Sequence, residues 1–191
     1  MSEAKVYDSP FKTSGAIYGN TPYILSFEFC LSAGPINPKF ETLYNLQNLG
    51  YCHKDFHSGN ILQDKHNHSF ISDFGLAGPA DKKNSNDKIY GVLPYIAPEV
   101  LNGELYTLAS DIYSFGVIMA ELSTGNPPFY DRKHDVSLAL DICNGLRPEF
   151  GTGTPEFYKE LAYRCMNANP NQRPTSKDLK KILRFWYSSI E

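Results

Sequence analysis

Three side chains with oxygen donors pose the chemical question. Asp55 and Asn60 stand five residues apart in Tyr51-Cys-His-Lys-Asp-Phe-His-Ser-Gly-Asn60, and Asp73 follows 18 residues after Asp55 in Ser72-Asp-Phe-Gly75. Magnesium takes oxygen ligands and accepts only one or two from protein, and Asn60 and Asp73 are of that type. A lone carboxylate near an attacking hydroxyl orients it and accepts its proton; Asp55 suits that role. Phosphoryl transfer asks a protein for this positioning and charge compensation rather than for covalent chemistry. The Phe74-Gly75 pair lets the backbone turn sharply after the ligand.

A loop and a hairpin must bring the three groups to one mouth. Ile61-Leu62 and Phe70-Ile71 read as short strands bracketing a polar run from Gln63 to Ser69. Upstream, Phe40, Leu43, Tyr44, Leu46 and Leu49 suit a short amphipathic helix that stops at Gly50. Downstream, Ser110 is placed to cap a helix from Asp111 towards Ser123. Its Ile112, Phe115, Ile118, Met119 and Leu122 form a broad apolar face, and Gly125 closes it. Pro127-Pro128 cannot continue a helix and starts a loop. Helical patterns follow at Val136 to Asn144, Glu156 to Asn167 and Ser176 to Tyr187, the last with Thr175 and Asp178 as a capping pair. Gly75 to Tyr90 is polar and lysine-rich and reads as a mobile loop. The pattern predicts an α+β, mainly α-helical domain over residues 40–187, with one small β-hairpin at the active site. An irregular segment, residues 1–39, precedes it.

Length and composition set the bounds. A chain of 191 residues that is 41% hydrophobic and 20% charged suits one globular domain. A formal net charge of -3 predicts no general affinity for nucleic acid or for an anionic membrane. Met1 to Pro10 is polar, and no apolar run approaches the roughly 20 residues that span a bilayer. Cytoplasmic placement follows as an expectation. Cys30, Cys52, Cys143 and Cys165 lack Cys-x-x-Cys spacing and read as buried thiols of a reducing compartment. His66-Asn-His68 reads as a solvated turn rather than a zinc site, and His134 as a loop residue without a partner. Ile17-Tyr-Gly-Asn-Thr-Pro-Tyr-Ile24 matches Ile89-Tyr-Gly-Val-Leu-Pro-Tyr-Ile96 at six of eight positions, which suggests a second copy of that short segment.

Each short motif alone is weak; their order is not. His53-Lys-Asp55, Asn60, Asp73-Phe-Gly75, Ala97-Pro-Glu99, Asp111 with Phe115-Gly116, and Arg173-Pro174 follow one another in the order seen in eukaryotic protein kinases. The chain resembles the C-terminal lobe of that family, nearest its tyrosine-kinase-like group. The resemblance implies transfer of the γ-phosphoryl of Mg·ATP to a protein hydroxyl, serine or threonine by overall likeness, with tyrosine left open. It implies Asp55 as base in the loop His53-Lys54-Asp55. Asn60 and Asp73, with Phe74 and Gly75, would hold Mg2+ and ATP. It further implies a Glu99–Arg173 ion pair, an Asp111 carboxylate that accepts hydrogen bonds from the catalytic loop, and an activation segment carrying Ser85, Tyr90 and Tyr95. Ser85 and Tyr90 are its candidate phosphoacceptors, and Tyr95 to Pro98 would form a floor for substrate.

The chain also departs from the family pattern. Lys54 stands where arginine is common, and lysine binds phosphate only as a point charge. His57 stands where many serine/threonine kinases carry a lysine that reaches the transferred phosphate, and Val92 replaces a threonine. No glycine-rich strand-turn-strand or Val-Ala-x-Lys strand precedes Asp55 in this sequence. The expectation is therefore a C-terminal lobe without a complete N-terminal β lobe, holding ATP weakly. Its partners would be protein substrates. The alternatives are a catalytically inactive protein-binding module (a pseudokinase or scaffold) and a lobe completed by a separate N-lobe chain.

Overall fold

Apolar residues at helical spacing build the centre. Helix α3 (Leu108–Thr124) buries Ile112, Tyr113, Val117, Ile118, Met119 and Ala120, and the helix Glu156–Cys165 and the strand Tyr51–Cys52 pack against it. The computed structural model describes residues 38–63, 65, 69–80 and 89–189. Residues 1–37, with Cys30 and the Ile17–Ile24 octet, lie outside these, as do His66, His68 and Ser85.

The elements run in order α1 (Pro38–Asn48), β1 (Tyr51–Cys52), β2 (Ile61–Gln63), β3 (Ser69–Ile71), β4 (Gly78–Pro79) and α2 (Pro98–Leu101). After α3 come α4 (Val136–Cys143), α5 (Glu156–Cys165) and α6 (Ser176–Ser188). The described fold is mainly helical with two small antiparallel sheets. β1 pairs with β4, Tyr51 opposite Pro79 and Cys52 opposite Gly78. β2 pairs with β3, Ile61 opposite Ile71 and Leu62 opposite Phe70. Alternation along this hairpin buries Ile71 and leaves the Leu62–Phe70 pair exposed.

The helix ends explain where sequence pattern and structure differ. α3 begins at Leu108, not Asp111. Thr107 is its N-cap, and Ser110 acts from inside the first turn, its Oγ accepting the Thr107 N–H at 3.1 Å. The two groups satisfy donors that the helix itself cannot reach. Gly125 closes the helix in the left-handed region (φ 71°), its N–H donating to the Glu121 carbonyl at 2.8 Å, as expected. α5 stops at Cys165, short of Asn167, with the Met166 N–H returning to the Ala162 carbonyl. The capping pair before α6 is present: the Asp178 N–H donates to Thr175 Oγ1 at 3.2 Å and the Thr175 N–H to Asp178 Oδ2 at 3.3 Å. His134 does have a partner, since its Nε2 lies 3.2 Å from the Phe129 carbonyl. Cys52, Cys143 and Cys165 remain thiols. No helix among the described residues is long and apolar enough to cross a membrane.

Two contacts lock the frame around α3. The buried Gln47 side chain of α1 donates to the Leu108 carbonyl at 2.9 Å, so the helix before the loop is tied to the start of α3. Gly116 lets α5 approach closely. A Cβ there would stand 2.7 Å from Met166 Cγ and 2.8 Å from both the Ala162 carbonyl oxygen and Cys165 Cβ. Interiors at organic-crystal density cannot absorb that overlap without shifting backbone. Gly116→Ala is therefore expected to destabilise the fold by about 1–3 kcal/mol, read as a lower urea midpoint. An unchanged midpoint would refute the close α3–α5 contact.

Candidate active site

The loop between β1 and β2 is held from below by one carboxylate. Asp111, in the first turn of α3 and fully buried, accepts the His53 N–H at 2.7 Å on Oδ2 and the Lys54 N–H at 3.1 Å on Oδ1. Lys54 pays for this with a left-handed backbone (φ 69°), uncommon for a residue with a side chain. The next side chain, Asp55, then points out of the loop. Burial pushes the Asp111 carboxyl up to about 6 from its ordinary 3.8, even though the His53 and Lys54 N–H groups pull the other way.

Asn60 joins the other two groups. It closes a 3-10 turn over Ser58–Asn60, and its Nδ2 donates to the Asp55 carbonyl at 2.9 Å. Its own carbonyl accepts from Ser72 twice, from N–H at 2.8 Å and from Oγ at 3.0 Å. One residue on, Asp73 adopts φ 59° and caps the 3-10 turn Phe74–Leu76, its Oδ1 accepting the Gly75 N–H at 3.3 Å. A Cβ on Gly75 would stand 3.2 Å from that oxygen, so glycine keeps the carboxylate accessible. His53 lies beneath both loops. Its Nε2 donates to the Ser72 carbonyl at 3.0 Å, and its ring sits between Phe56 and Phe74 with centroids 5.9 and 5.2 Å away. Burial lowers its pKa, which keeps the ring neutral, and Nδ1 is buried without a hydrogen bond among the described residues. Asn60 thus lies between the loop that carries Asp55 and the turn that carries Asp73.

These groups fit a hard cation. Asn60 commits Nδ2 to the loop and leaves its amide oxygen, while Asp73 sits exposed with a carboxylate. That all-oxygen pair is what magnesium takes from protein. No cluster of three or more histidine, cysteine, aspartate or glutamate ligands exists among the described residues. Asp55 stands apart from this pair. Its Oδ1 is buried, accepts no hydrogen bond, and has His57 Nε2 3.6 Å away, an electrostatic contact longer than a hydrogen bond. Burial alone would push the Asp55 carboxyl up; the His57 ring, followed by His53 and Asn60, outweighs it, and the net direction is down.

Comparison with known proteins agrees with this geometry. The model of the protein kinase domain family matches residues 38–184. The chain belongs to the protein kinase family. Over 135 aligned positions it is 36% identical to a Dictyostelium discoideum protein described as a "probable serine/threonine-protein kinase", covering 70% of this chain and 8% of that protein. A second protein of that organism, described in the same words, is 28% identical over 178 positions, covering 93% of this chain and 13% of the other. A protein kinase and PP2C-like domain-containing protein of Oryza sativa subsp. japonica is 31% identical over 182 positions, covering 75% of this chain and 27% of the other. The chain thus spans about a quarter or less of the length of these relatives.

The kinase frame has a second anchor. Arg173 forks onto Glu99, Nη1 to Oε1 at 2.7 Å and Nη2 to Oε2 at 2.6 Å, with both side chains buried. Its remaining donors reach the Asn167 and Ala109 carbonyls at 2.8 and 2.9 Å. Between Asp55 and Glu99, Gly91 (φ 113°) passes so close that a Cβ would meet the Lys54 carbonyl oxygen at 3.3 Å and Asp55 Oδ1 at 3.4 Å. The half-buried Tyr90 receives Tyr106 Oη on its backbone carbonyl.

A third cluster escaped the sequence reading. Tyr95 Oη donates to Glu121 Oε2 at 2.8 Å, and Ser58 Oγ donates to Glu121 Oε1 at 2.9 Å while lying 3.2 Å from Tyr95 Oη. Burial pushes both Tyr95 and Glu121 up, which keeps the phenol protonated. Tyr95 is therefore a buried brace of the floor, with its hydroxyl engaged. The signal in the sequence was Glu121 itself, a carboxylate interrupting the apolar run Ile118-Met-Ala-Glu-Leu122.

Two outcomes follow. Arg173→Ala leaves Glu99 buried without its counter-charge and is expected to cost about 3–5 kcal/mol; a urea titration showing under about 1 kcal/mol would refute the buried pairing. Asp111 binds its proton more tightly folded than unfolded. Its contribution to stability is present below about pH 4 and is lost as pH rises through about 6. The stability difference between wild type and Asp111→Asn should therefore fall between pH 4 and 6 and level off above. A flat difference curve would show that burial does not raise this carboxyl.

Proposed function

We propose that this chain supplies the acceptor carboxylate, the metal ligands and the substrate floor of a serine/threonine protein kinase of the tyrosine-kinase-like group. The observation that carries the reading is Asn60, hydrogen-bonded to Asp55 on one side and to Ser72, next to Asp73, on the other. Asn60 thus ties the backbone of Asp55 to the residue that precedes Asp73. The description of two relatives as probable serine/threonine-protein kinases supports serine and threonine as acceptors. Asn60 and Asp73 would hold Mg2+, which would offset phosphate charge, together with ATP, which would supply the transferable γ-phosphoryl. Asp55 orients the substrate hydroxyl and takes its proton as the new P–O bond forms and the bond to ADP breaks. Tyr95 to Pro98, buried and braced by Glu121, line the floor beneath the incoming peptide.

Leu62, Phe70, Phe74 and Leu76 expose apolar surface beside the metal ligands. This face suits a glycine-rich nucleotide lobe from another chain or segment, and ATP held by these 191 residues alone would be weakly bound. A second reading, a non-catalytic docking module, is favoured by Val136 and Leu140, exposed at i and i+4 on α4 (72% and 59%).

The test is phosphate transfer to a generic protein substrate with Mg·ATP, for this chain alone and with a glycine-rich nucleotide lobe supplied in trans. Transfer to serine or threonine, lowered about 10²–10⁴-fold by Asp55→Asn and abolished by Asp73→Asn, is the expected result. Full activity in Asp55→Asn would remove Asp55 as base. Transfer to tyrosine alone would overturn the hydroxyl class. No transfer in either format would favour the docking module.

A further inference from the structure

His57 faces Asp55 with a defined nitrogen. Its Nδ1 accepts the Gly59 N–H at 3.1 Å, and this bond caps the 3-10 turn Ser58–Asn60. A neutral imidazole has one donor and one acceptor nitrogen, so with Nδ1 accepting, the proton sits on Nε2. That nitrogen lies 3.6 Å from Asp55 Oδ1, the buried oxygen with no other hydrogen bond among the described residues.

The ring's seat is built from two sides. A Cβ on Gly59 would stand 2.9 Å from His57 Cε1 and 3.0 Å from Nδ1, so a larger residue there would displace the ring from this position. Tyr95 lies against the other face, ring centroids 5.8 Å apart, and is itself fixed by Glu121 and Ser58. The side chains of His57 and Asp55 are 14% and 18% exposed, so water competes little for this contact.

We infer that His57 is a positioning residue for the acceptor carboxylate: its Nε2–H closes onto Asp55 Oδ1 and holds the carboxylate so that Oδ2 faces the substrate hydroxyl, with Gly59 as the residue that makes room for the ring. The inference rests on the phosphoryl-transfer reading for what Asp55 does, but not for the contact itself. It also changes the meaning of histidine at this position. The residue does not merely remove a cationic reach towards phosphate; it gives the base a neutral donor. His53 cannot serve, because its Nε2–H is committed to the Ser72 carbonyl.

Two arms test this. Two-bond 1H–15N correlation of the imidazoles, without nucleotide, should show His57 as the Nε2–H tautomer, and Gly59→Ala should mix the tautomers by displacing the ring. A predominant Nδ1–H tautomer in the wild type would overturn the inference. In the transfer assay His57→Ala should lower kcat about tenfold, the scale of one hydrogen bond to a charged group, with KM little changed. Gly59→Ala should do the same, and His57→Gln, whose amide can still donate towards Asp55, should recover most of the loss. A His57→Ala effect on KM alone, or His57→Gln as impaired as His57→Ala, would also overturn it. The expected tautomer without any phosphate transfer would instead count against the kinase reading and leave the His57–Asp55 contact standing.

Discussion

Asp111 carries a carboxylate into the interior, and it is met there by two backbone N–H groups of one loop. Burying such a charge is expensive unless donors surround it. The same donors would be stranded without it, because a loop bent through the left-handed region at Lys54 has no ladder to bond them. Charge and loop therefore stabilise each other. The direction of Asp55, the turn that places Asn60, and the contact of His53 with Ser72 all depend on that exchange.

Helix α3 extends this principle along its length. Asp111 and Glu121 are ten residues apart, roughly 15 Å along the axis at 1.5 Å per residue. The first fixes the start of the loop between β1 and β2. The second fixes its far end at Ser58 and, through Tyr95, the floor where substrate would lie. A rigid helix with a carboxylate near each end thus sets the spacing between the loop that carries Asp55 and the segment that carries Tyr95. Glu99 and Arg173 add a third fixed point, holding the segment after the floor against Asn167 and Ala109. Each fixed point is a buried or partly buried acidic group with donors supplied by another element, so the frame is specified by pairing rather than by apolar contact alone.

Much of this was legible before any coordinates. The hairpin strands, the helices from α3 to α6, the Gly125 stop and the Thr175–Asp178 cap all follow from spacing and capping chemistry that act within a few residues. Asp55, Asn60 and Asp73 were readable because hard-cation and proton-acceptor chemistry demands those residue types. Other features were not, for a physical reason in each case. The start of α3 moved to Leu108 because Ser110 can serve a cap from inside the helix as well as from its edge. The Glu121 cluster stayed hidden because its partners lie 26 and 63 residues away. His57 read as a lost lysine because residue type alone does not reveal which nitrogen carries the proton.

By itself the sequence determined which groups are present and in what order: a carboxylate, an amide and a second carboxylate at Asp55, Asn60 and Asp73, and an acid–arginine pair far apart in the chain. Those are matters of covalent identity and short-range pattern. Tertiary structure alone decided how the groups are turned. The tautomer of His57, the left-handed bends at Lys54 and Asp73, and the sharing of Glu121 between Ser58 and Tyr95 are set by which donor meets which acceptor across the fold. Hydrogen bonds are short and directional, so their pairing exists only once distant segments have packed.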